Sequence, residues 1–334
     1  MKKTYYLFNP GRLSRTDNTL KFVPVDEEGH DGQTRYLPVE NIDSLYVFGA
    51  LDANSSLYSF LGKSEIAVHF FDYYENYTGS FMPRDSLISG KLLVSQVKMY
   101  ENRKKRLGLA CKILEGASFN MNKNLKYYDN RGKDLSVFIE RIEQMSAQLQ
   151  TMPDIPSLMG MEGMIRQTYY EAFNLIINDI AMPGRSKQPP LDPVNAMISF
   201  GNMMCYSQCL RAIHQTQLNP AISYLHSPGD RRYSLALDLA EIFKPLIVDR
   251  LLFRLLNKNE ISESDFESKL SGILLKEKGR KIYVAAFEEK LSETFMHRQL
   301  KRNISYKHLI KLECYKLIKH IMEIEDYKPF KAYW

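Results

Sequence analysis

The hydrophobic pattern of this chain changes period once, near residue 85, and that change limits the fold more than any other feature. Before it, β-rich runs (TYYLF, TLKFVPV, SLYVFG, IAVHFF, NYTGSF) are separated by turn-forming stretches such as NPG, TDN, EEGHDG and YTGS. Runs at that spacing predict a small β unit. NSSLYSFLG differs, and Asn54 or Ser55 is placed there to cap a single short helix. Beyond Arg84 the apolar residues follow a 3.6-residue period over 86–118, 132–150, 154–180, 193–217, 233–257 and 284–328, which predicts helices. The chain therefore reads as an α+β multidomain protein, with a β-rich domain over 1–85 and a larger all-α domain over 86–334.

Its 334 residues, 44% hydrophobic, supply apolar mass for two packed cores and exclude a disordered chain. Forty-five basic against 39 acidic residues leave +6, an excess that permits nucleic-acid binding without requiring it. Cys111, Cys205, Cys209 and Cys314 form no CxxC pair, so they read as reduced core residues. The start, MKKTYYLFNPGR, has too short an apolar run for a signal peptide, and no uncharged stretch reaches membrane-spanning length. A cytoplasmic, soluble protein is expected. RSKQPPLDPVN interrupts the helical part as a loop expected to be mobile, ending in an N-cap acid, Asp192, and a proline at the first helical position.

Chemistry concentrates in YLHSPGDRRYSLALDLAEIFKP, residues 224–245. On a helix, residues 234, 238, 241 and 245 share one stripe, which makes Asp238 and Glu241 neighbours. Two like charges among leucines repel and lose hydration when covered, so a positive group must answer them. Lys244, Arg231 and Arg232 are close enough to do so, leaving His226 as a turn residue. Alternatively a divalent cation does so, since carboxylates with one neutral imidazole suit Mg²⁺ or Mn²⁺. The third candidate donor is Glu162, on the apolar-faced helix MEGMIRQTYYEAF, where the ordinary reading pairs it with Arg166 one turn on.

Three blocks in order, MEGMIRQTYY with Glu162, PPLDPVNAMISFGNMMC over 189–205, and YLHSPGDRRYSLALDLAEIFKP, resemble the signature blocks of the CRISPR-associated integrase of spacer acquisition, CRISPR-associated protein one. The likeness runs over essentially the whole chain, and the ending YKPFKAYW is of the kind seen in the I-B-like branch. It implies a β-sandwich-like N-terminal dimerisation domain and a helical C-terminal catalytic domain. It carries over Glu162, His226 and Glu241 as metal ligands and Asp238 as a further catalytic acid. Some members have aspartate where this chain has Glu241. The implied reaction is metal-dependent transesterification. A 3′-hydroxyl of captured double-stranded DNA attacks a phosphodiester of the CRISPR repeat, and with water instead the site acts as an endonuclease. The implied partners are DNA, a second copy in a homodimer, and CRISPR-associated protein two.

Variable captured sequences demand phosphate contacts. Arg231 and Arg232 are expected nearest the scissile strand, with Arg185 and Lys187 folding over it from the Pro-rich loop. Arg103, Lys104, Lys105 and Arg106, at the end of a helical stretch, and His297, Arg298, Lys301 and Arg302 add basic charge; solvated faces are their ordinary reading. Tyr73, Tyr74 and Tyr77 are candidates for stacking on bases, against ordinary packing. His69 and His214 read as structural. Two rival readings are a non-catalytic helical DNA-binding subunit and a His/carboxylate metal hydrolase of a small molecule.

Overall fold

The computed structural model describes residues 2–26, 28–72, 74–83, 89–178, 180–229, 233–269 and 272–333. The chain divides into two compact units, Met1–Ser86 and Leu87–Trp334.

The first unit is built of β1 (Lys3–Leu7), β2 (Gly11–Thr16), β3 (Thr19–Pro24), β4 (Arg35–Pro38), β5 (Ile42–Val47), β6 (Leu51–Asp52), α1 (Ser55–Lys63), β7 (Ala67–Phe71) and β8 (Tyr77–Phe81). One sheet runs β1-β5-β7-β8, with β1, β5 and β7 mutually parallel and β8 antiparallel; the other runs β4-β3-β2-β6. Leu45 and Val68 of the first sheet, Leu13 and Leu20 of the second, and Leu57 and Leu61 of α1 share one core. The helix is where NSSLYSFLG placed it, and its cap is Asn54, whose side chain accepts from the Leu57 N–H at 2.9 Å. Three strands escaped the sequence reading. GRLSRT is mostly polar, RYLP ends in proline, and β6 is two residues long. His69 is fully buried on β7 with Nδ1 2.6 Å from Ser80 Oγ, which also meets the Tyr77 hydroxyl at 2.7 Å. Tyr74 is exposed; Tyr73 lies outside the described residues.

The second unit holds α2 (Gly90–Glu101), α3 (Arg103–Asp129), α4 (Ser136–Gln148), α5 (Ile155–Glu171), α6 (Phe173–Ile176), α7 (Pro193–His214), α8 (Ser234–Lys244), α9 (Arg250–Asn257), α10 (Glu277–Ser292) and α11 (Tyr306–Ile321). It is not all-helical. Hairpins β9 (Phe266–Lys269) with β10 (Gly272–Leu275), and β11 (Thr294–His297) with β12 (Arg302–Ser305), interrupt it, so the stretch 284–328 expected as one helix is α10, a hairpin and α11. Gly272 has φ +102°, and a Cβ there would stand 2.4 Å from the Pro190 carbonyl, so only glycine fits. The first stretch also breaks. Asn102 caps α3 by accepting from the Lys105 N–H at 3.0 Å, which puts Arg103–Arg106 at the start of a helix rather than at the end of one. Arg106 donates to the Tyr224 carbonyl at 2.9 Å and so is not simply a solvated charge, whereas Lys105 pairs with Glu323 at 2.5 Å on the exposed surface.

All four cysteines are free and buried. Helix α8 packs on α3 and α7, and buried asparagines stitch that contact. Asn120 Nδ2 donates to the Ile242 and Phe330 carbonyls, and Asn124 Nδ2 to the Pro245 carbonyl at 2.7 Å. Pro245 has no N–H to return to Glu241, and the chain widens there into a π turn over Pro245–Asp249 before α9.

Candidate active site

Helix α5 starts from Asp154, whose carboxylate accepts from the Ser157 N–H at 2.8 Å, and it carries Glu162 to the rim of a cleft. Helix α8 carries Glu241 to the same cleft, and the turn before α8 delivers His226. The cleft measures about 900 Å³, and Arg185, Lys187 and Lys244 also line it. Glu162, His226 and Glu241, far apart in sequence, therefore face one space.

Asp238 does not. It is fully buried one turn before Glu241 and turned to the 224–226 backbone. Its Oδ2 accepts from the Tyr224 and Leu225 N–H groups at 2.6 and 3.0 Å; its Oδ1 accepts from the His226 N–H at 2.9 Å and lies 2.8 Å from His226 Nδ1. Ser234, one turn earlier on the same stripe, donates to the Ala221 carbonyl at 2.9 Å. The stripe seen in the sequence is real, but its acid orients the histidine instead of entering the cleft. With Nδ1 carrying the proton toward Asp238, Nε2 keeps its lone pair.

The two cleft carboxylates are answered by basic side chains. Arg166 reaches Glu162 through Nε and Glu241 through a terminal nitrogen, and Lys244 Nζ lies 2.7 Å from Glu241. The pairing of Glu162 with Arg166, and of Glu241 with Lys244, is what helical spacing anticipated; the reach of Arg166 from α5 to α8 was not legible. Burial pushes the Lys244 amine down to about 8, helped by Arg166 beside it. Burial also pushes the Asp249 carboxyl up to about 7, against the pull of Arg166 and a hydrogen bond from Tyr169.

The Pro-rich loop is pinned rather than mobile. Asn195, in the first turn of α7, accepts from Arg185 at 2.7 Å and from the Ser186 N–H at 3.1 Å and donates to the Gly184 carbonyl at 2.6 Å. The Pro190 carbonyl accepts from the Ile273 N–H at 2.9 Å. Asp192 caps α7 as its sequence required, accepting from the Asn195 N–H at 2.8 Å. Arg185 and Lys187 are held at the cleft, their pKa values lowered by burial and, for Lys187, by Arg185 next to it. Arg231 and Arg232 lie outside the described residues.

Among the described residues no three His, Cys, Asp or Glu side chains are gathered closely enough to hold a metal ion. The Arg166 guanidinium contacts both glutamates. The donor chemistry nonetheless fits a hard divalent cation, with two carboxylates, one imidazole fixed through its far nitrogen, and the shielded Asn202 Oδ1, which has no hydrogen-bond partner among the described residues and belongs to a residue of the same cleft. Asn202 was not singled out in the sequence, since one asparagine in a helix does not show where its side chain points.

The family model described as CRISPR associated protein Cas1 matches residues 5–289. A CRISPR-associated endonuclease Cas1 of Fusobacterium nucleatum is 45% identical, the match covering 100% of this chain and 98% of the relative. The chain belongs to the Cas1 family. It is accordingly a CRISPR-associated endonuclease, which sets aside both rival readings. The solved Cas1 protein from Thermotoga maritima superposes with a TM-score of 0.85 at 35% identity over 99% of this chain and 100% of that one. A casposase bound to its integration product shares the fold, with a TM-score of 0.84 at 19% identity over 99% of this chain and 94% of that one. Among the described residues no helix is long and apolar enough to cross a membrane.

Proposed function

We propose that this Cas1 chain joins captured double-stranded DNA to a CRISPR array by divalent-metal-dependent transesterification, with Glu162, His226 and Glu241 as the residues that hold Mg²⁺ or Mn²⁺. One observation carries the reading: an imidazole fixed by a buried carboxylate faces a cleft shared with two glutamates and a rim of basic side chains. A bound divalent ion supplies charge to the scissile phosphate and to the oxygen that leaves it. The chain's own residues do the rest. Asp238 holds the His226 ring so that Nε2 stays available as a ligand. Arg185 and Lys187, tied to the start of α7, offer fixed positive charge to the phosphates on either side of the scissile bond, and Arg231 and Arg232 follow His226 closely enough to add to it. The attacking 3′-hydroxyl forms the new P–O bond as the repeat's own 3′-oxygen leaves, so one phosphodiester replaces another without an external energy source.

The two sheets of the N-terminal unit, sharing one core, are read as a sandwich-like pair whose edge strands favour association of two copies, and a dimer of CRISPR-associated protein two completes the assembly. The decisive assay supplies a 3′-ended duplex and a leader-repeat duplex with Mn²⁺ and counts joined strands. His226→Ala and Glu162→Ala should abolish joining while keeping the circular-dichroism spectrum; full joining by either variant removes the site assignment.

A further inference from the structure

Glu162 and Glu241 approach the cleft from different helices, α5 and α8, and their carboxylates meet on one side chain, Arg166. The three are well shielded, with side-chain exposures of 16% for Glu162, 4% for Glu241 and 14% for Arg166. Two carboxylates brought together at such burial repel strongly unless a cation lies between them. A planar guanidinium with five donors suits that task, since it serves both acids at once from a fixed fork. Arg166 is also steadied from outside the pair, for NH1 lies 3.4 Å from the Tyr170 hydroxyl one turn on. Lys244 adds a second cation on Glu241. The place between the two acids, which a divalent ion would need, therefore already holds a positive charge.

We infer that Arg166 is a resident counter-ion of the metal-free site, and that a divalent cation enters by displacing its guanidinium from between Glu162 and Glu241. The inference rests on the reading of those two glutamates as metal ligands. It gives Arg166 two opposed effects. In the metal-free chain it holds α5 and α8 at their working separation, so the carboxylates are in place before an ion arrives. Against the ion it is a competitor, because each carboxylate gained by the metal is one lost to the arginine. The displaced guanidinium stays beside the buried carboxyl of Asp249, in a cleft that Arg185, Lys187 and Lys244 also line, where an anionic phosphate oxygen is a further partner open to it.

The test uses the full-length chain and Mn²⁺ alone, read by calorimetric titration and by the melting temperature with and without the ion. Arg166→Met should lower the melting temperature in chelator, bind Mn²⁺ about ten-fold more tightly, equivalent to about 1.4 kcal/mol, and show a larger melting-temperature rise with Mn²⁺ than the parent chain. Arg166→Lys keeps the charge but loses the fork and should fall between the two; it carries the test if Arg166→Met does not fold. Glu162→Gln should remove the Mn²⁺ response in both the parent and the Arg166→Met background. Equal or weaker Mn²⁺ binding by a folded Arg166 variant, with the parent still responding, overturns the counter-ion inference and leaves the ligand assignment standing. A parent chain with no saturable Mn²⁺ response, or one that Glu162→Gln leaves intact, overturns the ligand assignment and the inference with it.

Discussion

Replacing Asp238 by alanine is the most revealing single change, because the structure gives this carboxylate a different burden from the acid beside it. It enters no cleft, yet it is fully buried and is the acceptor for three consecutive backbone N–H groups, those of Tyr224, Leu225 and His226, as well as the partner of the His226 ring. Alanine leaves those donors facing a void. An unpaired buried N–H costs roughly 1–2 kcal/mol, so three put the loss at about 3–6 kcal/mol. In a unit of this size each kcal/mol shifts the midpoint by about 2–4 °C, and thermal unfolding followed by circular dichroism should show a drop of about 6 °C or more. His226→Ala is the control. It removes a ring that is 20% exposed but none of the three backbone bonds, so it should melt well above Asp238→Ala. An Asp238→Ala chain that melts as high as His226→Ala would refute the reasoning, since water or backbone rearrangement would then be satisfying those donors at no cost.

Three further outcomes follow from the same geometry. Between pH 4 and 7 the native chain holds a proton on Asp249 that the unfolded chain has lost, its carboxyl raised to about 7 from an ordinary 3.8; the stability this adds at low pH fades as pH rises through 7, and Asp249→Asn should flatten that part of a plot of melting temperature against pH. Asn195→Ala removes the acceptor for Arg185 and Ser186 and the donor to Gly184, so limited trypsin digestion should cut near Arg185 and Lys187 several-fold faster than in the parent. Gly201→Ala puts a Cβ where the Tyr283 hydroxyl would be 2.0 Å away and Val248 2.5 Å away, an overpacking that should cost roughly 1–3 kcal/mol by urea denaturation.

What the sequence disclosed and what it withheld separate along a physical line. Signals that depend on a residue's own preferences were readable. Asn54 before an apolar turn and Asp192-Pro193 before a long one both became helix starts, and the stripe through 234, 238 and 241 did face a common neighbourhood. Long-range partners were not readable. Asp238 is answered by backbone N–H groups, which exist at every non-proline position and so mark no sequence. The second grip of Arg166, on Glu241, depends on how α5 and α8 are packed and not on spacing within either helix. The missed hairpin β11–β12 lies between two strong helices whose periodicity hid the strands, while the break at Asn102 turned on one capping side chain among good helix formers. Arg185 and Lys187 do line the cleft, but the loop that bears them is fastened by Asn195, a residue whose hydrogen-bonding capacity says nothing about its targets.

Asp238 and Ser234 also decide how the cleft can move. Because both fasten segment 221–226 onto α8, His226 and Glu241 are tied to one piece of the fold, whereas Glu162 is carried by α5 and Asn202 by α7. A change in the separation of α5 and α8 would therefore alter the distance from Glu162 to His226 and Glu241 while leaving the spacing of those two unchanged.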